Sequence, residues 1–146
     1  MTDTLLLVQH EMSHKHIKQH LSLDAADARI NGDRVQLQQV IINLVMNACQ
    51  AMCNLSEGAR SLNICTRVER NEVIIEVNDS GEGIDVADLP SLFNPFYTTK
   101  AEGLGMGLSI CRSIIEAHRG QISLSNNEDG GASAVVILPI ATPEAP

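Results

Sequence analysis

Apolar side chains recur every three or four positions between Val40 and Met52, and this pattern predicts an amphipathic helix. Asp33 is a suitable N-cap for the helix, and Gln36, three residues later, completes a capping-box pattern. The sequence therefore predicts one long helix that runs from about Arg34 to Met52.

Alternation with a period of two residues predicts β-strands on both sides of this helix. The alternating segments are Ile17–Leu23, Leu62–Val68, Val73–Val77, Gln121–Ser125 and Ala132–Pro139. Arg70-Asn71 predicts a hairpin turn, and a second helix is expected from about Leu108 to His118, with Gly120 as its C-terminal stop. The order of the elements predicts a two-layer α/β sandwich, in which helices cover one face of a mixed sheet.

The composition limits the class of protein. The 146 residues, 44% of them hydrophobic, suit one globular domain at 16–140, between a linker helix at 1–15 and a frayed tail at 141–146. The net charge of −8 argues against nucleic acid or an anionic membrane surface as a partner. No apolar run approaches the roughly 20 residues of a membrane span.

The cysteines and histidines give no clear metal pattern. The four cysteines lack CxxC spacing and are interpreted as reduced thiols of a cytosolic protein, with a redox or metal pair of Cys49 and Cys53 as the alternative. The histidines between His10 and His20 lack an acidic or thiol ligand that would complete a metal site, so a solvated helix and strand are expected there.

A line of amide side chains runs along the predicted long helix. Asn43, Asn47 and Gln50 recur at positions i, i+4 and i+7, beside the apolar stripe. An amide that is buried without a partner costs about 1–3 kcal/mol, so this line indicates that a polar ligand binds there. A solvated helix face with neutral amides is the alternative.

Asp79 ends the third predicted strand on the same face as Val73 and Val77, so we expect it at the edge of the core. Gly81 and Gly83 follow it, and glycines permit positive φ or a close approach of the backbone. A carboxylate beside a gap opened by glycines suits an exocyclic amine such as that of adenine. The alternative is an ordinary Asx-turn at the end of a strand.

A glycine-rich loop precedes the second predicted helix. Gly103, Gly105 and Gly107 leave backbone N–H groups available next to the positive end of a helix dipole, which predicts a phosphate site. Lys100 lies just before the loop and is expected to reach an outer phosphate as a point charge. A turn without a ligand is the alternative, while Rossmann and P-loop spacings do not fit.

All the aromatic residues of the chain, Phe93, Phe96 and Tyr97, lie just before this glycine loop, so the core is expected to be aliphatic. We interpret the aromatic segment as a lid over a ligand, as a plug for the end of the core, or as both.

Taken in order, these segments resemble the catalytic, ATP-binding domain of sensor histidine kinases, which is grouped with gyrase, the Hsp90-type chaperones and the mismatch-repair ATPases. Asn43–Ala51 resembles its N box, Asp79–Gly83 its first glycine box, Phe93–Phe96 its F box and Gly103–Gly107 its second glycine box. The resemblance implies the Bergerat-type ATP-binding fold of that superfamily.

The resemblance also implies roles for individual residues. Asn47 would coordinate Mg²⁺ through its side-chain oxygen, Asp79 would accept a hydrogen bond from the adenine amino group, and Lys100 would face the phosphates. The nucleotide-binding residues that it implies are Asn47, Gln50, Ala51, Asp79, Gly81, Gly83, Ile84, Lys100, Gly103, Leu104, Gly105, Met106, Gly107, Leu108 and Ser133.

One position distinguishes the subfamilies. Relatives that hydrolyse ATP carry a glutamate general base one turn before the Mg²⁺ asparagine, and this chain has Asn43 there. A neutral amide cannot deprotonate water. The resemblance therefore implies phosphoryl transfer to a protein acceptor rather than efficient hydrolysis, with Asn43 and Lys100 as catalytic residues.

Two features depart from the family pattern. Gly131 is followed by Ala132-Ser133, where the family often has a threonine after the glycine. His10 is followed by an acidic residue, as in a phosphoacceptor helix, but the interval to Asn43 is too short for two long helices. We therefore interpret His10 as part of the linker helix.

The sequence thus predicts a cytoplasmic, monomeric catalytic domain that binds ATP and Mg²⁺ and transfers the γ-phosphoryl group to a histidine on a separate dimerisation hairpin. A response regulator would be an indirect partner, and contact with nucleic acid or membrane is not expected. The alternatives are a stand-alone anti-sigma-type serine kinase of the same superfamily and a non-catalytic nucleotide-binding interaction module.

Overall fold

The computed structural model describes residues 13, 16–23, 32–52, 55–84, 87, 93, 107–128 and 130–140. Within these ranges the chain forms five strands and two α-helices. The strands are β1 (Lys18–Leu23), β2 (Ser61–Glu69), β3 (Glu72–Asp79), β4 (Gln121–Asn126) and β5 (Ala132–Pro139), and the helices are α1 (Arg34–Ala51) and α2 (Gly107–Ala117). Apart from residue 13, the predicted linker helix at 1–15 and the tail at 141–146 lie outside the described residues.

The strands form one sheet in the order β1-β2-β3-β5-β4. The β1 and β2 strands are parallel, and every other neighbouring pair is antiparallel. Because α1 lies between β1 and β2 along the chain, it forms the crossover that a parallel pair requires. The predicted α/β class and the mixed sheet are confirmed.

The core lies between the two helices and one face of the sheet. Along β3, Val73, Ile75 and Val77 are buried on this inner face, as the alternation predicted. The helices contribute the other half of the core, which includes Val40, Leu44, Val45, Ala48, Met52, Cys111 and Ile115. The buried core residues are aliphatic or sulfur-containing throughout the described part of the chain. Neither described helix is long and apolar enough to cross a membrane.

The N-terminus of α1 is capped as predicted, but only half of the capping box forms. Asp33 Oδ1 accepts a hydrogen bond from the backbone N–H of Gln36 at 3.1 Å. The backbone N–H of Asp33 donates to His118 Nε2 at 2.9 Å, so it does not bond to the Gln36 side chain. Since His118 Nε2 is the acceptor, Nδ1 carries the proton and donates to Ile114 O at 2.7 Å. One imidazole therefore ties the start of α1 to the end of α2.

The C-terminus of α2 ends near Gly120, as predicted, but for a different reason. Arg119 takes the left-handed conformation with φ of 64°, while the N–H of Gly120 donates to Ile115 O at 2.9 Å and that of Arg119 to Glu116 O at 3.0 Å. These bonds define a Schellman motif. Gly120 is required for space, because a Cβ there would collide with the carbonyl oxygen of Ile137.

The predicted hairpin between β2 and β3 is confirmed. Glu69 pairs with Glu72, so the loop contains only Arg70 and Asn71. Their φ angles of 50° and 63° are the positive values that a type I′ turn requires at both central residues. Asparagine tolerates this conformation well. The turn fixes the register that places the end of β3 at the functional edge of the sheet.

Candidate functional site

Asp79 is the last residue of β3, and its side chain lies at the edge of the core, with 8% of the residue exposed. Its Oδ1 atom accepts hydrogen bonds from the backbone N–H groups of Gly81 at 2.8 Å and Ala132 at 3.1 Å. A buried carboxylate needs such donors, because it has lost the hydration that stabilised its charge in water. The two bonds fix the carboxylate at the edge of the sheet, between β3 and β5.

The loop after Asp79 depends on both of its glycines. A Cβ on Gly81 would lie 2.8 Å from Ala51 O and 3.0 Å from Ala51 Cβ, so this glycine allows the loop to contact the end of α1. Gly83 has φ of +79°, and a Cβ on it would lie 2.6 Å from Gly130 O. The sequence-based expectation of close approach applies to both glycines, and positive φ applies only to Gly83.

Gly131 is a further glycine at this edge, where a Cβ would collide with the backbone carbonyl of Asp79. We expect Gly131→Ala to destabilise the domain by about 2 kcal/mol or more, because neither backbone segment can move without breaking the bonds that hold Asp79. Chemical denaturation measures this change. Gly58→Ala is the matched control, since a Cβ on Gly58 meets nothing within 4 Å. Equal losses for the two variants would contradict the steric argument.

The amide side chains along α1 differ in their contacts and in their exposure to solvent. Gln39 Nε2 donates to Asn43 Oδ1 at 2.8 Å, and Asn43 Nδ2 donates to Cys111 Sγ on α2 at 3.6 Å. Burial raises the pKa of the Cys111 thiol, and the hydrogen bond from Asn43 lowers it in part. Asn47 is half-buried, whereas Gln50 is exposed. The polar line is therefore not a uniformly solvated helix face.

The two helices run antiparallel, as the pairs Asp33 with His118 and Asn43 with Cys111 demonstrate. One turn beyond Asn43, towards the end of α1, lies Asn47, and one turn before Cys111 lies Gly107, the first residue of α2. The antiparallel arrangement thus brings the end of α1 that carries Asn47 towards the start of α2. The positive end of the α2 dipole points to the same edge of the molecule as Asp79 and Gly81.

Comparison with known proteins agrees with this geometry. Residues 32–142 match the family described as histidine kinase-, DNA gyrase B- and HSP90-like ATPase. The catalytic domain of histidine kinase ThkA, solved without nucleotide, has a TM-score of 0.84 at 34% sequence identity, over 94% of this chain and 88% of that chain. The chain belongs to this ATPase family.

Within the family, the similarity is to sensor histidine kinases. The sensor histidine kinase TmoS of Ectopseudomonas mendocina is 44% identical over 114 residues, which are 77% of this chain and 12% of TmoS. A second ThkA structure, in complex with response regulator protein TrrA, has a TM-score of 0.80 at 30% identity, over 96% of this chain and 39% of that chain. The chain is an ATP-binding catalytic domain of the sensor histidine kinase type. It spans 12% to 25% of the length of the first curated relatives.

Several predicted site residues of the catalytic domain lie outside the described residues. These are Lys100, Gly103, Leu104, Gly105 and Met106, together with Phe96 and Tyr97 of the aromatic segment and Cys53 of the possible thiol pair. Phe93 is described, and its ring lies 5.6 Å from Arg112 Cζ of α2, a cation–π distance. The prediction of a lid is not tested by this contact.

Ser133 lies on the face of the sheet opposite to that of Asp79. Its hydroxyl hydrogen-bonds to Asn78 Oδ1, its partner across β3 and β5. Successive strand residues alternate between faces, so Ser133 and Asn78 lie on the outer face while Asp79 and Ala132 lie on the inner face. The assignment of Ser133 to the nucleotide site stays a prediction. Ala132 occupies the inner-face position and brings its backbone N–H, not a hydroxyl, to Asp79.

Two residues at the end of β4, Asn126 and Asn127, were missed by the sequence analysis. Asn126 contacts the backbone of Ile84, and Asn127 contacts the backbone of Asp79 and Gly131. The only local signal is a pair of turn-forming asparagines before the glycines of the β4–β5 loop. Their contacts with the loop after β3 join residues far apart along the chain, with separations of 42 for Asn126 and Ile84 and 48 for Asn127 and Asp79.

Proposed function

We propose that this catalytic domain binds ATP with Mg²⁺ at the edge formed by Asp79, the end of α1 and the start of α2, and that it transfers the γ-phosphoryl group to a histidine on a separate helix hairpin. The observation that carries the proposal is the buried Asp79 carboxylate, which two backbone donors hold beside a loop whose Gly81 and Gly83 lie too close to their neighbours for a Cβ. A fixed acceptor next to a glycine-opened gap suits an adenine amino group.

Asp79 is the proposed residue for base recognition. A carboxylate accepts about four hydrogen bonds, so it can hold backbone donors and a ligand donor together. Gly81 lies against Ala51, and the half-buried Ile84 follows on the same loop. In the proposal, Ala51 and Ile84 supply the apolar contacts to the flat faces of the base, while Gly81 and Gly83 let the backbone approach it.

Asn47 is the proposed protein ligand of Mg²⁺. Among the described residues, no group of three or more His, Cys, Asp and Glu side chains is arranged to hold a metal. The side-chain oxygen of Asn47 is a hard ligand that Mg²⁺ can take together with phosphate oxygens and waters, since Mg²⁺ dehydrates reluctantly and seldom uses an all-protein cage. When bound, Mg²⁺ neutralises phosphate charge. Gln50, exposed one turn later, is proposed to line the same edge.

The start of α2 is the proposed phosphate-binding element. The N-terminus of a helix presents backbone N–H groups without intrahelical partners, together with a partial positive charge, to an anion. Gly107 and Leu108 form the first positions of α2, and the preceding loop residues Gly103, Leu104, Gly105 and Met106 are proposed to complete the phosphate contacts. Lys100 is proposed to neutralise the transferred phosphoryl group.

Asn43 supports transfer to a protein acceptor over hydrolysis. Its side chain is a neutral amide that bridges Gln39 and Cys111, so it has no basic atom with which to activate water. Phosphoryl transfer requires mainly alignment and charge neutralisation, which fixed dipoles provide. Purified protein is therefore expected to release phosphate from ATP at a rate near background.

The proposed partners follow from the family. A relative of known structure, ThkA, was solved with the response regulator TrrA, and this similarity supports a role in the same kind of signalling system. We propose that the domain works on the cytoplasmic side, that the acceptor histidine is on the dimerisation hairpin of the same kinase, and that the isolated domain is monomeric.

A fusion of this chain to the histidine-bearing hairpin of a sensor kinase tests the proposed reaction, because the linker keeps the acceptor at high effective concentration. With ATP labelled on the γ-phosphate, we expect acid-labile, base-stable label on the hairpin. The control fusion carries glutamine in place of the acceptor histidine and should remain unlabelled. Label that resists acid and lies on serine would favour the anti-sigma-type kinase, and rapid phosphate release would favour an ATPase.

A further inference from the structure

The side chain of Asn126 holds the loop after Asp79 by its backbone. Asn126 Oδ1 accepts from the N–H of Ile84 at 2.6 Å, and Asn126 Nδ2 donates to the carbonyl oxygen of Ile84 at 2.8 Å. One amide group thus satisfies both backbone groups of one residue, in the way that a neighbouring strand does. The fit is close, since a Cβ on Gly83 would lie 2.9 Å from Asn126 Oδ1.

The adjacent Asn127 holds the other end of the same loop. Asn127 Nδ2 donates to Asp79 O at 2.9 Å and to Ala132 O at 3.3 Å, and Asn127 Oδ1 accepts from the N–H of Gly131 at 3.0 Å. Asn126 and Asn127 therefore fix the loop at both of its ends, Asp79 and Ile84, to the β4–β5 hairpin.

We propose that Asn126 is a positioning residue for the nucleotide base, which acts by holding Ile84 at the base-binding edge. The inference rests on the proposed function, because it assigns Asn126 to the part of that site which receives the base. The helices proposed to hold the phosphates and the metal, α2 and α1, make no hydrogen bond to Asn126 within the described residues. The β4–β5 hairpin thus controls the base end of the site independently of the metal end.

The solvent exposure of Asn126 distinguishes a residue that positions the loop from one that stabilises the core. Asn126 is exposed, so its truncation leaves no cavity and exposes no apolar surface. The change removes two hydrogen bonds to a loop whose Gly83 is conformationally permissive, and the loop then samples more arrangements. When a ligand binds only one of these arrangements, its apparent affinity falls by the same factor as the population of that arrangement.

Calorimetric titration of the whole chain with ATP and with ADP, each with and without Mg²⁺, tests the proposal. For Asn126→Ala we expect the affinities for both nucleotides to fall by the same factor, roughly tenfold. The ratio of the affinities with and without Mg²⁺ should equal that of the wild type, because the metal end is unchanged. Ser125→Ala, at the neighbouring exposed position, is the matched control and should bind like the wild type.

Asn126→Asp separates the two hydrogen bonds. An ionised carboxylate keeps an acceptor for the Ile84 N–H but cannot donate to the Ile84 carbonyl oxygen, so its affinity should lie between those of the wild type and Asn126→Ala. Hydrogen exchange of the Ile84 amide should be faster in Asn126→Ala than in the wild type. This measurement reports on the hydrogen bonds between Asn126 and Ile84 without any ligand.

Unchanged nucleotide affinity in Asn126→Ala, or a loss that appears only in the presence of Mg²⁺, would overturn the proposal. An affinity loss that disappears on cooling well below the unfolding transition would assign Asn126 a purely structural role. Failure of the wild type to bind ATP would instead overturn the proposed function. In that case the exchange rate of the Ile84 amide would still decide whether the Asn126 side chain holds the loop in place.

Discussion

Asp79→Asn is expected to lower the affinity for ATP by at least about tenfold while the domain remains folded. The asparagine oxygen can still accept from the N–H groups of Gly81 and Ala132, so both of these hydrogen bonds are kept. The second carboxylate oxygen becomes an NH₂ group, which donates and therefore repels the adenine amino group. Loss of an acceptor at a site built to pair with a donor produces a large discrimination.

Asp33→Asn is the matched control for this substitution. Asparagine is as good an N-cap as aspartate, and Asp33 lies at the opposite end of α1 from Ala51. The control should keep both its thermal stability and its affinity for ATP. Equal ATP affinity of Asp79→Asn and the wild type, measured by calorimetry on folded samples, would remove Asp79 from base recognition.

Asn47→Ala is expected to abolish the increase in nucleotide affinity that Mg²⁺ produces. The proposed ligand is the amide oxygen, and alanine has no atom that replaces it. The fold should survive, because Asn47 is only half-buried and alanine has the highest helix propensity. Calorimetric titration of ATP at several Mg²⁺ concentrations measures the metal dependence directly.

Gln36→Ala removes an amide of similar size from the exposed first turn of α1 and serves as the control for Asn47→Ala. It should show the metal dependence of the wild type. If Asn47→Ala also kept that dependence, the metal ligand would have to be sought among other residues.

The local sequence pattern was sufficient to predict those features of the structure that depend only on residues close together along the chain. The alternation along β3 placed Asp79 on the same face as Val77, and the cap at Asp33 marked the start of α1. The two-residue turn at Arg70 and Asn71 also follows from its immediate surroundings. These features needed only the period of the strand, the geometry of the helix terminus and the length of the loop.

Long-range contacts could not be predicted in the same way. The hydrogen bond from Asp33 to His118 joins residues 85 positions apart. No local sequence pattern predicts that the backbone N–H of an N-cap residue donates to a histidine near the end of another helix. In the sequence Asn126 and Asn127 resemble ordinary turn residues, because Ile84 and Asp79 become their neighbours only when the sheet has formed.

Ser133 illustrates how a shift of one position along a strand moves a side chain to the opposite face of the sheet. The family often has a threonine directly after this glycine, whereas in this chain Ala132 takes that position and Ser133 carries a hydroxyl one position later. Because side chains alternate between faces, that single position moves it from the face of Asp79 to the opposite face, where it bonds to Asn78. The register of β5 against β3 places Ser133 opposite Asn78.

Calorimetric titration of the wild-type chain with ATP, in the presence and absence of Mg²⁺, tests the central claim most directly. The proposed site predicts saturable binding of one ATP per chain and a clear gain in affinity when Mg²⁺ is present. A sample that is folded by circular dichroism but binds no ATP under either condition would contradict the assignment of this edge as a nucleotide site.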